Sequence, residues 1–124
     1  MSYRETLPED CPPDETEEIS AVRDVFRLVR NTPPTEDDFR SQRAEKPQAI
    51  FHVSECQACG LSVFADRADC ERARKLPTLR GRFICRIQLA TGAGRIQETG
   101  RPSHLTWWPL AEFQVLARCL VEAS

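Results

Sequence analysis

The strictest constraint on the fold is a strand-like alternation in RFICRIQLA, residues 82–90. Apolar side chains recur at every second position from Phe83 to Leu89, and the polar residues Arg86 and Gln88 lie between them. A period of two is typical of a strand with one face in a core. The chain is therefore expected to build its core on a sheet.

Further strands are predicted along the chain. VRDVFRLVR (22–30) alternates in the same way, and LSVF (61–64) and RIQET (95–99) have strand composition. At the C-terminal end, the pattern favours a helical turn at 109–113 followed by a strand through VLARCLV (115–121). These segments predict four to five strands.

Two helices are predicted between the strands. Thr35 and Asp38 have the spacing of a capping box ahead of a helix over about 36–46. Asp66 is placed to cap a second helix, and Pro77 is placed to end it. The fold class is therefore predicted as α+β, with a small, mostly antiparallel sheet of four to five strands and two short helices on one face.

Charge divides the chain into two predicted parts. The first 20 residues carry seven acidic residues and one basic residue, a charge of −6, whereas the remainder carries 12 acidic and 16 basic residues, a charge of +4. Acidic segments with few apolar residues do not repay the entropy of ordering. We expect residues 1–19 to form an acidic flexible tail and residues 20–124 to form one domain.

Composition also narrows the classes of partner and location. No apolar run reaches the roughly 18 residues of a membrane span, and the N-terminus has no basic-then-apolar signal pattern. A cytoplasmic protein without membrane contact is therefore expected. The small positive charge of the body makes nucleic acid an unexpected partner. No cofactor is expected, with NAD as the alternative.

The cysteines leave several interpretations open. Most of the six are expected to be reduced, buried thiols in such a compartment, with Cys11 the most exposed. Cys56 and Cys59 have the Cys-x-x-Cys spacing, which suits zinc ligation or a redox pair. No second tight pair completes a zinc site, so incidental thiols are the simpler interpretation.

A basic cluster between Arg67 and Arg86 allows a phosphate-binding hypothesis. Seven Arg and Lys residues fall within twenty positions, but acidic residues are interleaved with them. Guanidinium groups beside an indole would suit a nucleotide ligand. A solvated charged face is the simpler alternative.

Three polar residues stand out: two lie at strand positions where the pattern favours apolar types, and the third lies beside the tryptophans. Arg27 shares a strand face with Val25 and Val29, which indicates a cleft or a satisfied ion pair; the simpler alternative is the solvent face of an edge strand. Ser62 lies mid-strand, and His104 lies in a Pro-flanked segment and titrates near neutral pH. All three are candidate site residues.

GRPSHLTWWPL, residues 100–110, contains both tryptophans of the chain. Neighbouring residues of a strand point to opposite faces. We therefore expect Trp107 to fill the core and Trp108 to line a surface cleft with His104 and Thr106. These last three residues are the candidate ligand-binding set.

The order of FRLV (26–29), PPTEDDF (33–39), GLSVF (60–64) and RPSHLTWWP (101–109) resembles small, mostly uncharacterised bacterial proteins. The arginine-strand and serine-strand order is also similar to that of the ADP-ribosyltransferase superfamily, whose members split NAD⁺ between two small sheets.

This second resemblance implies a catalytic set. Arg27 would hold a phosphate or the nicotinamide ribose, and Ser62 would brace the pocket. Glu98, or alternatively Glu112, would orient the ribose hydroxyl, although neither lies in the superfamily's acid-bearing motif.

Two functions follow as expectations. The first is a cytoplasmic bacterial protein-interaction or accessory module with a protein partner, which uses exposed Trp and Arg side chains. The alternative is a nucleotide-binding pocket protein that transfers ADP-ribose or cleaves NAD, as a toxin-type effector. NAD binding separates the two.

Overall fold

Seven strands form one antiparallel sheet in the computed structural model, which describes residues 2–122. The strands are β1 (Glu17–Glu18), β2 (Arg23–Val29), β3 (Leu61–Phe64), β4 (Phe83–Leu89), β5 (Gly94–Glu98), β6 (His104–Pro109) and β7 (Cys119–Val121). Their order across the sheet is β1-β5-β6-β3-β2-β4-β7. Every pairing between these strands is antiparallel.

The prediction of four to five strands is wrong, and β1 and β6 account for the difference. β1 consists of two exposed glutamates, whose pairing with Ile96 and Arg95 uses backbone groups and leaves no apolar pattern. β6 ends on Pro109 and follows Pro102, so its sequence has the punctuation of a loop. The amino-acid composition of neither segment therefore indicated a strand.

Three short α-helices lie between the strands, where two were predicted. They are α1 (Gln42–Glu45), α2 (Glu55–Ala58) and α3 (Arg67–Ala73). The helix expected over 36–46 is divided into a 3₁₀ turn (Glu36–Phe39) and α1, because Ser41 starts a new helix by accepting the Ala44 N–H at 3.1 Å. No helix among residues 2–122 is long and apolar enough to cross a membrane.

The sheet buries residues on both faces. The larger core includes Val25, Val63, Ile87 and Trp107, all fully buried. A smaller core on the other face includes Leu28 of β2 and Ile84 of β4. Each large apolar side chain buried in this way stabilises the fold by about 1.5–3 kcal/mol, so the central strands are fixed from both sides.

The N-terminal segment packs against this sheet. Residues 2–11, called here the N-terminal strap, run past the end of β6, where the Arg4 N–H donates to the Pro109 carbonyl at 2.8 Å. The Glu5 carboxylate accepts from the N–H and hydroxyl of buried Ser41. Ile19 is buried beyond β1. The division after residue 19 stays a prediction, but these contacts differ from those of a detached tail.

Candidate functional site

A chain of hydrogen bonds joins four side chains on one face of the sheet, from β3, from β6 and from the residue that follows β5. The Ser62 hydroxyl lies 3.0 Å from His104 Nε2. His104 Nδ1 lies 2.9 Å from the Thr99 hydroxyl, which lies 2.8 Å from the Thr106 hydroxyl. The chain runs from exposed Ser62 to buried Thr106. We call these four residues the Ser–His–Thr chain.

The strand register assembles this chain. Ser62 lies opposite Thr106, and Phe64 lies opposite His104, in the pairing of β3 with β6. His104 and Ser62 are therefore diagonal neighbours on one face, a separation that long side chains span. The Phe64 ring contacts the imidazole edge-on at 5.5 Å between centroids. The ring orientation is thus fixed by both packing and hydrogen bonds.

The need of each buried polar atom for a partner determines which group donates in each hydrogen bond of the Ser–His–Thr chain. Thr106 is only 2 % exposed, so its hydroxyl proton needs an acceptor, and Thr99 supplies one. The Thr99 hydroxyl then donates to His104 Nδ1, and His104 Nε2–H donates to Ser62. The Ser62 proton is left for solvent or a ligand. This direction makes His104 a donor to Ser62 and not its general base.

His104 is held neutral by its surroundings. Burial lowers the pKa of its imidazole below the ordinary value. Protonation would also turn Nδ1 into a donor, so the Thr99 hydroxyl would accept from His104 and its own proton would lose its acceptor. The neutral chain is therefore the form that the fold stabilises.

Arg27 is bound by backbone carbonyls and forms no ion pair within residues 2–122. Its guanidinium donates to the carbonyls of Asp38 at 3.0 Å, Arg40 at 3.2 Å and Ser62 at 2.7 Å. Burial lowers its pKa to about 10, although the charges of Glu45 and Asp38 oppose this shift. The group expected to hold a phosphate is thus engaged with the protein's own backbone.

The structure does not bring the predicted catalytic set together. Glu98 alternates with Gln97 on β5, so it lies on the Ile96 side of the sheet, which is opposite to Ser62 and His104. Glu98 is exposed there. Arg27 reaches Ser62 only at its main-chain carbonyl, from the face opposite the Ser62 hydroxyl, so the three side chains implied by the transferase resemblance form no common pocket.

Trp108 is 1 % exposed, so the expectation that it lines a surface cleft is wrong. Its indole N–H donates to the Cys56 carbonyl at 2.9 Å. Gly60 permits this packing, because a Cβ there would lie 2.3 Å from Thr106 Cγ2 and 3.1 Å from the indole nitrogen of Trp108. Trp107 is completely buried, as expected. Both tryptophans are therefore structural.

Cys59, Cys70, Cys85 and Cys119 are free thiols as expected, but the other two cysteines differ from the expectation. Cys11 forms a disulfide with Cys56, so Cys11 is not a free thiol and Cys56 does not pair with Cys59 in a zinc site. Burial raises the pKa of Cys59 to about 11 and that of Cys70 to about 12. No group of three or more metal-binding side chains lies within residues 2–122.

The basic cluster is interleaved with acids in space as well as in sequence. Arg74 lies 2.6 Å from Glu71, and Arg67 lies 3.6 Å from the same carboxylate. Arg72 pairs with Asp69. The pairs reduce the positive field that a phosphate ligand requires.

One surface was missed in the sequence. Residues 46–54, called here the 46–54 loop, join α1 to α2, and Ile50 in this loop is 97 % exposed. The run AIFHV (49–53) was the available signal, but its apolar composition suggests burial. Arg43, which braces the loop, and Thr99, which joins the Ser–His–Thr chain, were also missed because neither lies in a motif.

Comparison of the chain with protein-family models, with curated proteins and with solved structures finds no match.

Proposed function

We propose that the protein is a protein-interaction module that binds its partner through the 46–54 loop. The observation that carries this proposal is the 97 % exposure of Ile50 at the tip of a braced loop. Val53, in the same loop, is 39 % exposed. The proposal keeps the interaction function expected from the sequence but moves the contact from Trp108 to this loop.

Arg43 holds both ends of the loop. Its guanidinium donates to the Pro47 carbonyl at 2.7 Å and makes two bonds to the Glu55 carboxylate, at 2.8 and 2.9 Å. The same group lies over the Phe51 ring, 4.8 Å from its centroid. A loop braced before binding loses less conformational entropy on binding.

The exposed side chains supply the binding free energy. Burial of an isoleucine contributes about 1.5–3 kcal/mol, and Ile50 leaves nearly all of this unused in the free protein. Single exposed apolar residues are common, so the support comes from the combination of two such residues with a fixed backbone. Lys46 at the loop's start has no ion pair within residues 2–122. We therefore expect a partner protein with an apolar pocket and an acidic rim.

No described contact favours the NAD-binding alternative. Arg27 is bonded to three carbonyls, and Glu98 lies on the other side of the sheet from Ser62. The bacterial cytoplasm and the accessory role stay predictions. The disulfide adds a condition, because in a reducing compartment such bonds are mostly transient.

The test is affinity capture from the source cells with three immobilised proteins. Ile50→Ser removes the apolar tip, and Val22→Ser is the matched control, since Val22 is 65 % exposed outside the loop. We expect a protein that is retained by the wild type and Val22→Ser, with the Kd for Ile50→Ser raised at least about tenfold, or 1.4 kcal/mol. Equal retention by all three proteins, or no retained protein, contradicts the proposal.

A further inference from the structure

A buried thiol lies three residues from the disulfide. Cys56 lies within α2, and Cys59 follows its last residue, with the Cys59 N–H donating to the carbonyls of Cys56 at 3.2 Å and Glu55 at 3.1 Å. Residues three apart in a helical turn lie on the same side of it. The Cys59 thiol therefore shares a side of α2 with Cys56, the residue that is bonded to Cys11.

We propose that Cys11, Cys56 and Cys59 form a thiol–disulfide exchange site that controls the N-terminal strap. Cys59 is the resolving thiol, Cys56 is the sulfur that it attacks, and Cys11 is the leaving group. This inference is independent of the 46–54 loop's proposed binding function.

The exchange is balanced within the chain. The Cys59 thiol first gives its proton to water or hydroxide, and the thiolate attacks Cys56 Sγ. The Cys11–Cys56 bond breaks as the Cys56–Cys59 bond forms, and Cys11 leaves as a thiolate that then takes up a proton. One disulfide replaces another, so no external oxidant or reductant is consumed.

The exchange matters because Cys11 is the covalent anchor of the strap. Without that bond, the strap is held by hydrogen bonds and one ion pair at its N-terminal end. Arg4 donates to the Pro109 carbonyl and pairs with Glu36, the Ala111 N–H donates to the Ser2 carbonyl, and Glu5 accepts from Ser41. Loss of a cross-link that closes a 45-residue separation greatly raises the entropy of the opened strap.

Two features keep the exchange slow in the resting protein. Cys59 is 7 % exposed, and burial raises its pKa to about 11, reinforced by the charges of Glu55 and Glu5 and opposed by that of Arg43. The thiol also donates a hydrogen bond to the Glu55 carboxylate at 3.6 Å, which stabilises the protonated form. The thiolate is the attacking species. While the pH is below that pKa, the exchange rate should therefore rise about tenfold for each unit by which the pH is increased.

The first experiment maps the disulfides by peptide mass spectrometry. The oxidised full chain is held at about pH 7 and about pH 9, and free thiols are trapped with an alkylating agent at intervals. We expect the Cys56–Cys59 bond to appear with alkylated Cys11, about 100-fold faster at the higher pH. Cys59→Ser should abolish the release of Cys11, and Cys70→Ser, at a buried thiol in α3, should not.

Two outcomes overturn the exchange site. In the first, Cys11 and Cys56 stay paired at both pH values while the protein remains folded by circular dichroism. In the second, Cys11 is released equally in Cys59→Ser, which would show attack from another thiol or from hydroxide.

A second experiment separates control of the strap from the chemistry. The amides of Arg4, Ser41 and Ala111 each take part in a bond between the strap and the body. In the protein with the Cys56–Cys59 bond, we expect hydrogen–deuterium exchange at these three amides to be at least about tenfold faster than in the protein with the Cys11–Cys56 bond. The amide of Ile87 in β4 should keep its rate. Unchanged rates at all three strap amides would overturn the strap's release.

Discussion

Arg27 and His104 both contact Ser62, from opposite faces of the sheet and through different atoms. Arg27 extends from the core face of β2 and donates to the Ser62 carbonyl at 2.7 Å. His104 lies on the other face and is 3.0 Å from the Ser62 hydroxyl. The sequence alone made both residues candidates for a functional site.

The two residues differ in whether a hydrogen-bond donor is left without a partner in the protein. All three nitrogens of the Arg27 guanidinium donate to main-chain carbonyls. The Ser–His–Thr chain, in contrast, ends in the exposed Ser62 hydroxyl, which accepts from His104 and points its own proton to solvent. A polar residue in a strand therefore indicates structure where its partners are complete, and accessible chemistry only where a group is left over.

The largest expected effect is at Arg27. Arg27→Met keeps an apolar stem but leaves three carbonyls without their donor, and each hydrogen bond from a charged donor contributes about 1.5–3 kcal/mol. Two of the three bonds are exposed to water, which reduces their contribution. We expect the free energy of unfolding to fall by about 3 kcal/mol, as measured by urea denaturation.

Arg23→Met is the matched control for this change. Arg23 lies on the same strand and the same face, and it has no hydrogen bond or ion pair that fixes its side chain within residues 2–122. An effect within about 0.5 kcal/mol is expected there. Similar losses for both variants would show that the Arg27 bonds contribute little and would return Arg27 to the candidate ligand-binding residues.

The second effect is at Gly60, beneath the Ser–His–Thr chain. Gly60→Ala places a Cβ 2.3 Å from Thr106 Cγ2, so it should cost about 1–3 kcal/mol of stability through overpacking. Thr106→Ser removes that methyl and keeps the hydroxyl. In a double-mutant cycle, Gly60→Ala should cost less in the Thr106→Ser background. Additive losses would mean that Thr106 does not occupy this position in solution.

A pH-dependent effect is expected at His104. Because its pKa is lowered by burial, the unfolded chain binds more protons below about pH 6.5. The free energy of unfolding should therefore fall as the pH drops through 6.5 towards the lower pKa of the folded state. His104→Gln should remove this part of the slope in denaturation curves collected between about pH 5 and about pH 7.5.

His52→Gln makes the same change at the exposed histidine of the 46–54 loop and serves as the control. A slope that His104→Gln leaves intact would mean that protonated His104 is tolerated in the fold. The direction assigned to the Ser–His–Thr chain would then be wrong, because that direction needs His104 Nδ1 as the acceptor of the Thr99 proton.

The sequence predicted the strands whose side chains carry the pattern. β4 is both the clearest alternation and a central part of the core, and Phe26 and Leu28 of β2 face away from Val25 as expected. β1 was missed because its pairing uses backbone alone. Such strands leave no mark on composition, which is why the count of four to five failed.

The residues with which the site side chains form hydrogen bonds or disulfides could not be predicted from the sequence. The order of residues brought Ser62 and His104 into the candidate set, but their contact depends on the register of β3 against β6. Arg27 bonds to carbonyls, which every residue possesses, so no partner type appears in the sequence. The Cys11–Cys56 pairing likewise cannot be deduced from spacing.

The smallest effect is expected at Ser62, and it decides whether the comparison with Arg27 holds. Ser62→Ala removes one exposed hydroxyl and leaves His104 Nε2–H able to bond to water, so the free energy of unfolding should change by less than about 1 kcal/mol. The carbonyl that Arg27 binds is retained in this variant. A small loss for Ser62→Ala beside a large one for Arg27→Met would assign the stability at this position to the main chain and leave the hydroxyl available to a ligand. If Ser62→Ala costs as much as Arg27→Met, the hydroxyl is part of the scaffold and the Ser–His–Thr chain ends inside the fold.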